Sequence, residues 1–274
     1  MSFPAPGSRC FRVFAAAMAL LVLAFPLRAA GDGSAFFGSD TAGEASLTGI
    51  LYDLKQTQER TPTGVDVGSY ITIVDEFVSK GFSEDVLNRY YRTTRPVYTT
   101  QIYIPLMTAD AAPKAFGVEK IVRPSRWIIH YKGQVSPPAD GTYRFAGYCD
   151  DLMIVAVNGK VVLNGSRKQF QPLPHLPWKS PEPPGPAAGN GSLVMGDWMP
   201  LTVAHPVDLD IIIGEHPGGQ FCAFLSVQKE GETYEMIGGK PVLPLFQVAP
   251  HPETPASKAG IEHLGPARIW KCLQ

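Results

Sequence analysis

The chain has 274 residues, with 24 Lys and Arg against 25 Asp and Glu and a formal net charge of −1. That balance, with its basic residues scattered, lacks the basic stripe of a nucleic-acid binder. Hydrophobic residues at 45% allow a sizeable core, while 27 Gly and 26 Pro favour many short strands and turns over long helices.

Residues 1–30 read as a signal peptide, with an uncleaved anchor as the alternative because Arg28 sits badly in the small-residue cleavage pattern. Arg9 and Arg12 are basic, residues 13–27 are apolar, and the small residues Ala29 and Ala30 follow. The apolar run is about 15 residues, short of the roughly 20 that a bilayer-spanning helix needs. The expectation is export to the periplasm, the cell surface or the extracellular space, with no transmembrane span in the mature chain. Residues 31–46 read as a linker. Removal of the leader leaves Cys149, Cys222 and Cys272. Cys149–Cys222 is the preferred disulfide, because both lie in predicted core strands, and buried free thiols are the competing reading. There is no Cys-x-x-Cys and the six histidines are dispersed, which argues against a zinc knuckle.

Strand-like alternation begins at residues 46–56 (SLTGILYDLKQ). Residues 70–79 and 83–91 read as two short helices, the second with Ser83 as N-cap and Glu84 and Asp85 in its first turn. Residues 98–106 (YTTQIYIPL) are rich in β-branched and aromatic residues. In WIIHYKGQV, Trp127, Ile129 and Tyr131 alternate with His130 and Lys132, and Tyr143 and Phe145 share a face of the returning strand. The apolar run 152–157 meets Asn158-Gly159, whose positive φ angles make a type I′ hairpin, and then Val161, Val162 and Leu163. Six consecutive apolar residues imply a strand covered on both faces, inside a sandwich or barrel.

Residues 166–191 carry too many Pro and Gly to join a sheet and read as a long surface loop. Trp178 within it is either a platform for a sugar ring or an anchor into the core, and burial of large aromatics favours the anchor. Residues 207–213 and 221–227 form a second hairpin around 214–220, and residues 242–248 suggest a last strand. Residues 250–274 read as a tail, pinned by Trp270. The fold class is therefore mainly all-β, an antiparallel β-sandwich or distorted barrel over 47–249, with a two-helix insertion at 70–91.

The stretch 127–163 resembles the protective-antigen-type domain family, which recurs in adhesins and glycosidases. The elements that carry the resemblance are Trp127, Gly133, Pro137-Pro138, Gly141, Tyr143, Phe145, Asp150-Asp151 and Asn158-Gly159-Lys160, in that order. The resemblance implies a β-sandwich, often a distorted barrel, whose best-attested role is carbohydrate recognition. In its lectin members consecutive aspartates joined by a cis peptide bind calcium, which chelates sugar hydroxyls. Asp150 and Asp151 match that pair. The loop that adds an amide in those lectins corresponds to 214–220, which offers Glu215 and Gln220 but no asparagine.

Calcium takes six to eight hard oxygens, so two adjacent carboxylates begin a site without completing one. The competing reading is that the pair accepts hydrogen bonds from loop amides and fixes the turn. No His-Glu-x-x-His, Gly-x-Ser-x-Gly or phosphate loop occurs. Asp208, Asp210 and Glu215 could be offered as glycosidase carboxylates, and His216 as a base, but no nucleophile–base pair is recognisable. The expected function is a non-catalytic binding module at the cell envelope or outside the cell. Its expected partner is a glycan, contacted through Asp150, Asp151, Tyr148, Glu215, Gln220 and Trp178, with calcium on Asp150 and Asp151. The alternative is a structural domain that docks an envelope protein and has no sugar site.

Overall fold

Strand periodicity and turn chemistry produce two antiparallel sheets stacked face to face. The computed structural model describes residues 1–2, 34–170, 173–250, 265–266 and 268–273. Those from Ser34 onward belong to one compact unit, Asp32–Gln274. The leader expected over 1–30 lies almost wholly outside the described residues.

In chain order the unit contains β1 (Leu47–Asp53), α1 (Val67–Ser79), β2 (Tyr91–Arg92), β3 (Val97–Thr99), β4 (Tyr103–Thr108) and α2 (Ala111–Ala115). Next come β5 (Trp127–Ser136), β6 (Gly141–Asp150), β7 (Leu152–Val157), β8 (Lys160–Asn164), β9 (Ala187–Ala188) and β10 (Gly191–Ser192). After these are β11 (Val194–Met195), β12 (Met199–Leu201), β13 (Val207–Glu215) and β14 (Gln220–Lys229). The short elements β15 (Met236–Ile237), β16 (Lys240–Pro241), β17 (Phe246–Gln247), β18 (Arg268–Ile269) and β19 (Lys271–Leu273) complete the described chain. The first sheet runs β2-β1-β5-β13-β7-β8, with β3 on β1 and β19 on β5. The second runs β11-β6-β14-β4, with β12 on β6. Neither closes on itself, so the architecture is an open sandwich rather than a barrel.

Each sheet is covered on both faces, which explains the unbroken apolar run of β7. Met153, Val155 and Val157 enter the core between the sheets, with Trp127, Ile129, Tyr131, Phe145 and Phe221. Leu152, Ile154 and Ala156 face the other way and pack beneath α1, against Tyr70, Val74 and Phe77. Alternate side chains on one strand thus serve two cores. The outer face of the second sheet, with Tyr148, Cys222 and Phe224, is covered by Ala188, Leu193 and Leu243. Asn158 and Gly159 have φ of 49° and 75°, as the type I′ turn of the hairpin requires.

Helix α1 begins at Asp66, whose carboxylate accepts the Ser69 N–H at 2.9 Å while the Ser69 hydroxyl accepts the Asp66 N–H at 2.8 Å. This reciprocal cap satisfies two otherwise orphaned donors. The helix expected over 83–91 is reduced to one 3₁₀ turn, Glu84–Val86, and Ser83 makes no side-chain cap. The following aromatic residues explain the difference: Tyr91 and Arg92 pair with Asp53 and Tyr52 on β1, and strand pairing ends the helix early.

Three further expectations are corrected. Cys149 and Cys222 are both free. They lie on adjacent strands, but Cys149 sits opposite Ala223 and Cys222 opposite Asp150. This one-residue offset sends their side chains to opposite faces of the sheet, Cys149 into the central core and Cys222 into the outer one. The strand expected over 242–248 narrows to β17, which pairs in parallel with β18. The C-terminal residues expected as a tail instead re-enter the sandwich: β19 pairs with β5, and Trp270 is fully buried against Tyr143, Phe145 and Phe246.

Trp270→Ala is expected to cost about 3–5 kcal/mol of unfolding free energy in urea titration, since a large aromatic is lost from a core that cannot fully collapse. Ile269→Ala, at a partly exposed neighbour, is expected to stay within about 0.5 kcal/mol. Equal costs for the two variants would contradict the placement of Trp270.

Candidate functional site

The chain crosses from the second sheet to the first between β6 and β7, and the crossing residues are Asp150 and Asp151. Their peptide bond is cis. Three backbone bonds fix the crossing: Cys149 N–H to the Gly165 carbonyl at 2.9 Å, Asp151 N–H to the Gly214 carbonyl at 3.3 Å, and Arg167 N–H to the Asp151 carbonyl at 2.8 Å. The corner therefore lies between the segment after β8 and the end of β13.

Both carboxylates are buried, at 3% and 2% exposure. Loops from both sides cover them, so the two carboxylates expected as glycan contacts do not face solvent. Arg167 Nη1 donates to Asp150 Oδ1 at 2.6 Å and lies 3.7 Å from Asp151 Oδ1. Asn190 Nδ2 donates to Asp150 Oδ2 at 2.5 Å, and the Tyr148 hydroxyl donates to Asn190 Oδ1 at 2.8 Å. Gly191 allows that approach, because a Cβ there would collide with the Tyr148 ring. The His216 N–H donates to Asp151 Oδ2 at 3.0 Å. Glu215, 1% exposed, accepts the Gly218 N–H at 2.8 Å through Oε1, while its buried Oε2 has no hydrogen-bond partner. Tyr70 packs on the His216 ring, and Phe170 contacts both rings edge-on.

Three acidic residues here face one guanidinium. Burial holds the Asp151 carboxyl well above the usual carboxylate range, and its hydrogen bond with Asp150 adds to that, against the opposing His216 N–H. Burial also pushes Glu215 up to about 8, with the neighbouring Asp151 charge contributing. On the other side of the corner, the Cys222 thiol is pushed up to about 12 by burial, so it is held as a neutral thiol.

Of the residues expected to form the site, Asp150, Asp151, Tyr148 and Glu215 are brought to this corner. Gln220 is exposed at the first position of β14, opposite Thr108. Trp178 is half-buried, packs against the core between the sheets and the one beneath α1, and donates its indole N–H to Asp197 at 3.1 Å, which is the anchoring arrangement. Asp210 is paired with His130 at 2.7 Å and Asp208 accepts from Gln134 at 3.0 Å, so each meets a neighbour along the sheet. Arg167 and Asn190 were not anticipated. Both come from the Pro- and Gly-rich segment, and Asn190 supplies the side-chain amide that reaches Asp150.

The calcium implied by the family resemblance does not fit these residues. Three of the four oxygens of the aspartate pair already accept N–H donors, and the positive guanidinium of Arg167 lies against both carboxylates at 2.6 and 3.7 Å, where a metal would have to sit. Among the described residues, no group of three or more His, Cys, Asp or Glu side chains is arranged to hold a metal ion.

No protein-family model matches the chain, and no curated protein matches it in sequence. Solved structures that resemble it include a PA14 sugar-binding domain from an RTX adhesin, 15% identical over 71% of this chain and 96% of that one, with a TM-score of 0.34. The PA14 domain of the MpAFP antifreeze protein is 13% identical over 70% and 88%, with a TM-score of 0.39. The A domain of epithelial adhesin 6 from Candida glabrata, in complex with Galb1-3GlcNAc, is 15% identical over 70% and 83%, with a TM-score of 0.40.

The raised acids set a pH dependence. Unfolded, Asp151 and Glu215 titrate near 3.8 and 4.5, well below their folded values. The folded state therefore binds more protons through this window, so their contribution to stability is highest below about pH 4 and declines as pH rises towards 8. Glu215→Gln removes one of the two groups. Its melting temperature relative to wild type is expected to rise between pH 5 and pH 8, and a pH-independent difference would contradict the buried acid.

Proposed function

We propose that this chain is an exported, non-catalytic β-sandwich module that binds carbohydrate at the surface formed by Arg167 and Asn190. The observation that carries the reading is the shape of the polar network. Its carboxylates are buried, while the Arg167 side chain is 41% exposed and Asn190 also reaches solvent. Burying several acids is costly, and a sandwich needing only a scaffold could fill such a corner with apolar side chains at equal or better stability. Acids perturbed by burial and a specific charge partner, held beneath a solvent-facing guanidinium, have the physical character of a functional corner. Arg167 uses Nη1 inward, leaving further N–H donors of its planar fork for ligand oxygens, and hydroxyl-rich sugars supply such acceptors. Export is supported by the basic, apolar and small-residue order of the first thirty residues.

The second reading, a protein-docking sandwich without a sugar site, rests on the withdrawal of both carboxylates from direct contact with a ligand, which leaves Arg167 and Asn190 as the polar groups facing solvent. A glycan array separates the two. Carbohydrate recognition is expected to give signals that Arg167→Ala weakens about tenfold or more, the equivalent of one lost hydrogen bond from a charged group, and that Asn190→Ala weakens by roughly half that free energy, about threefold. No signal above background with the wild-type chain would leave the docking reading.

A further inference from the structure

We propose that Arg167 takes the place of a divalent cation at the aspartate pair, so that a guanidinium belonging to the chain closes the acidic corner and no metal is needed. The inference rests on the site assigned above but not on the identity of its ligand.

Two sets of contacts carry it. The first is the placement of the guanidinium, at 2.6 Å from Asp150 and 3.7 Å from Asp151, where one positive group meets both carboxylates. The second is the way the Arg167 backbone is held. Its N–H donates to the Asp151 carbonyl at 2.8 Å, and its own carbonyl accepts the Phe170 N–H at 2.8 Å, which starts the 3₁₀ turn Lys168–Phe170. The preceding residue is buried, and its hydroxyl bridges the Met153 N–H and carbonyl at 3.0 and 3.2 Å. The arginine is therefore fixed by backbone bonds to the same corner that its side chain neutralises, unlike a mobile surface lysine or arginine that pairs opportunistically.

The donor inventory points the same way. Asp150 spends both oxygens on cationic or amide N–H groups, and Asp151 spends one on the His216 backbone. The Asp151 and Gly214 carbonyls, which a calcium ion could otherwise use, already accept backbone N–H groups. Five potential oxygen ligands are thus committed to nitrogen donors. A hard cation entering the corner would have to displace the Arg167 guanidinium and compete with these donors for the same oxygens. The planar guanidinium instead donates a directional hydrogen bond to Asp150 and meets Asp151 as an ion pair at 3.7 Å.

The test is thermal unfolding of the full chain at pH 8 in millimolar calcium chloride or in EGTA, for wild type, Arg167→Ala and Arg167→Lys. The wild-type midpoint is expected to be the same in both. Arg167→Ala is expected to unfold at lower temperature and to regain about 3 °C on adding calcium, as the exposed acids gain a counterion. If the alanine variant does not fold, the lysine variant, which keeps the charge, is expected to fold and to remain insensitive to calcium. A calcium-dependent rise in the wild-type midpoint would overturn the proposal, as would an alanine variant as stable as wild type in EGTA. A blank glycan array would remove the sugar reading while leaving this result unaffected.

Discussion

The corner where β6 passes into β7 depends on one interaction, the ion pair between Arg167 and Asp150. Three acidic side chains come together there because the chain changes sheets, and a sheet change brings strand ends from both layers to one place. The backbone bonds of Asp151 to Gly214 and of Arg167 to Asp151 then require those side chains to lie beneath loops rather than in water. Without a positive partner, buried carboxylates are strongly disfavoured. Arg167 supplies the charge and Asn190 the remaining hydrogen bond, and together they draw both ends of the segment between β8 and β10 onto the sandwich. The middle of that segment is fastened separately by Trp178 to Asp197 and by His175 to the buried Asp75 of α1.

This arrangement changes the meaning of the aspartate pair. Seen as sequence, two consecutive aspartates at a strand mouth suggest ligands to a metal or a sugar. In the folded chain they are the support, and the groups that meet solvent are the arginine and asparagine resting on them. A guanidinium anchored on its inner edge loses little further conformational freedom when its outer donors meet a ligand. In the carbohydrate site proposed above, selectivity would come from hydrogen-bond geometry instead of metal coordination, with a modest gain per contact.

Much of the fold was legible in the sequence where local chemistry decides it. Asn158-Gly159 fixed the β7–β8 hairpin, and the unbroken apolar run 152–157 correctly implied a strand covered twice. The failures share a physical cause, that the deciding contacts are distant in the chain. Cys149 and Cys222 were assigned to suitable strands, but only the register tells which face each side chain takes. Residues 83–91 carry helical signals that pairing with β1 overrides. Trp270 sits in a weakly patterned stretch, and its burial comes from aromatic partners more than twenty residues away. Arg167 and Asn190 were hidden for the same reason, inside a segment whose Pro and Gly content marks a loop without saying where its side chains return. A lone arginine just past a hairpin that ends beside two aspartates was the one available hint.

A double-mutant cycle between Asp150 and Arg167, using Asp150→Asn and Arg167→Met and reading unfolding free energy in urea, tests the pairing most directly. Because the guanidinium is partly exposed, screening reduces the coupling below that of a fully buried pair, and about 1–2 kcal/mol is expected. Costs that add within about 0.5 kcal/mol would mean that the two groups do not depend on one another, and the corner would have to be held by something else.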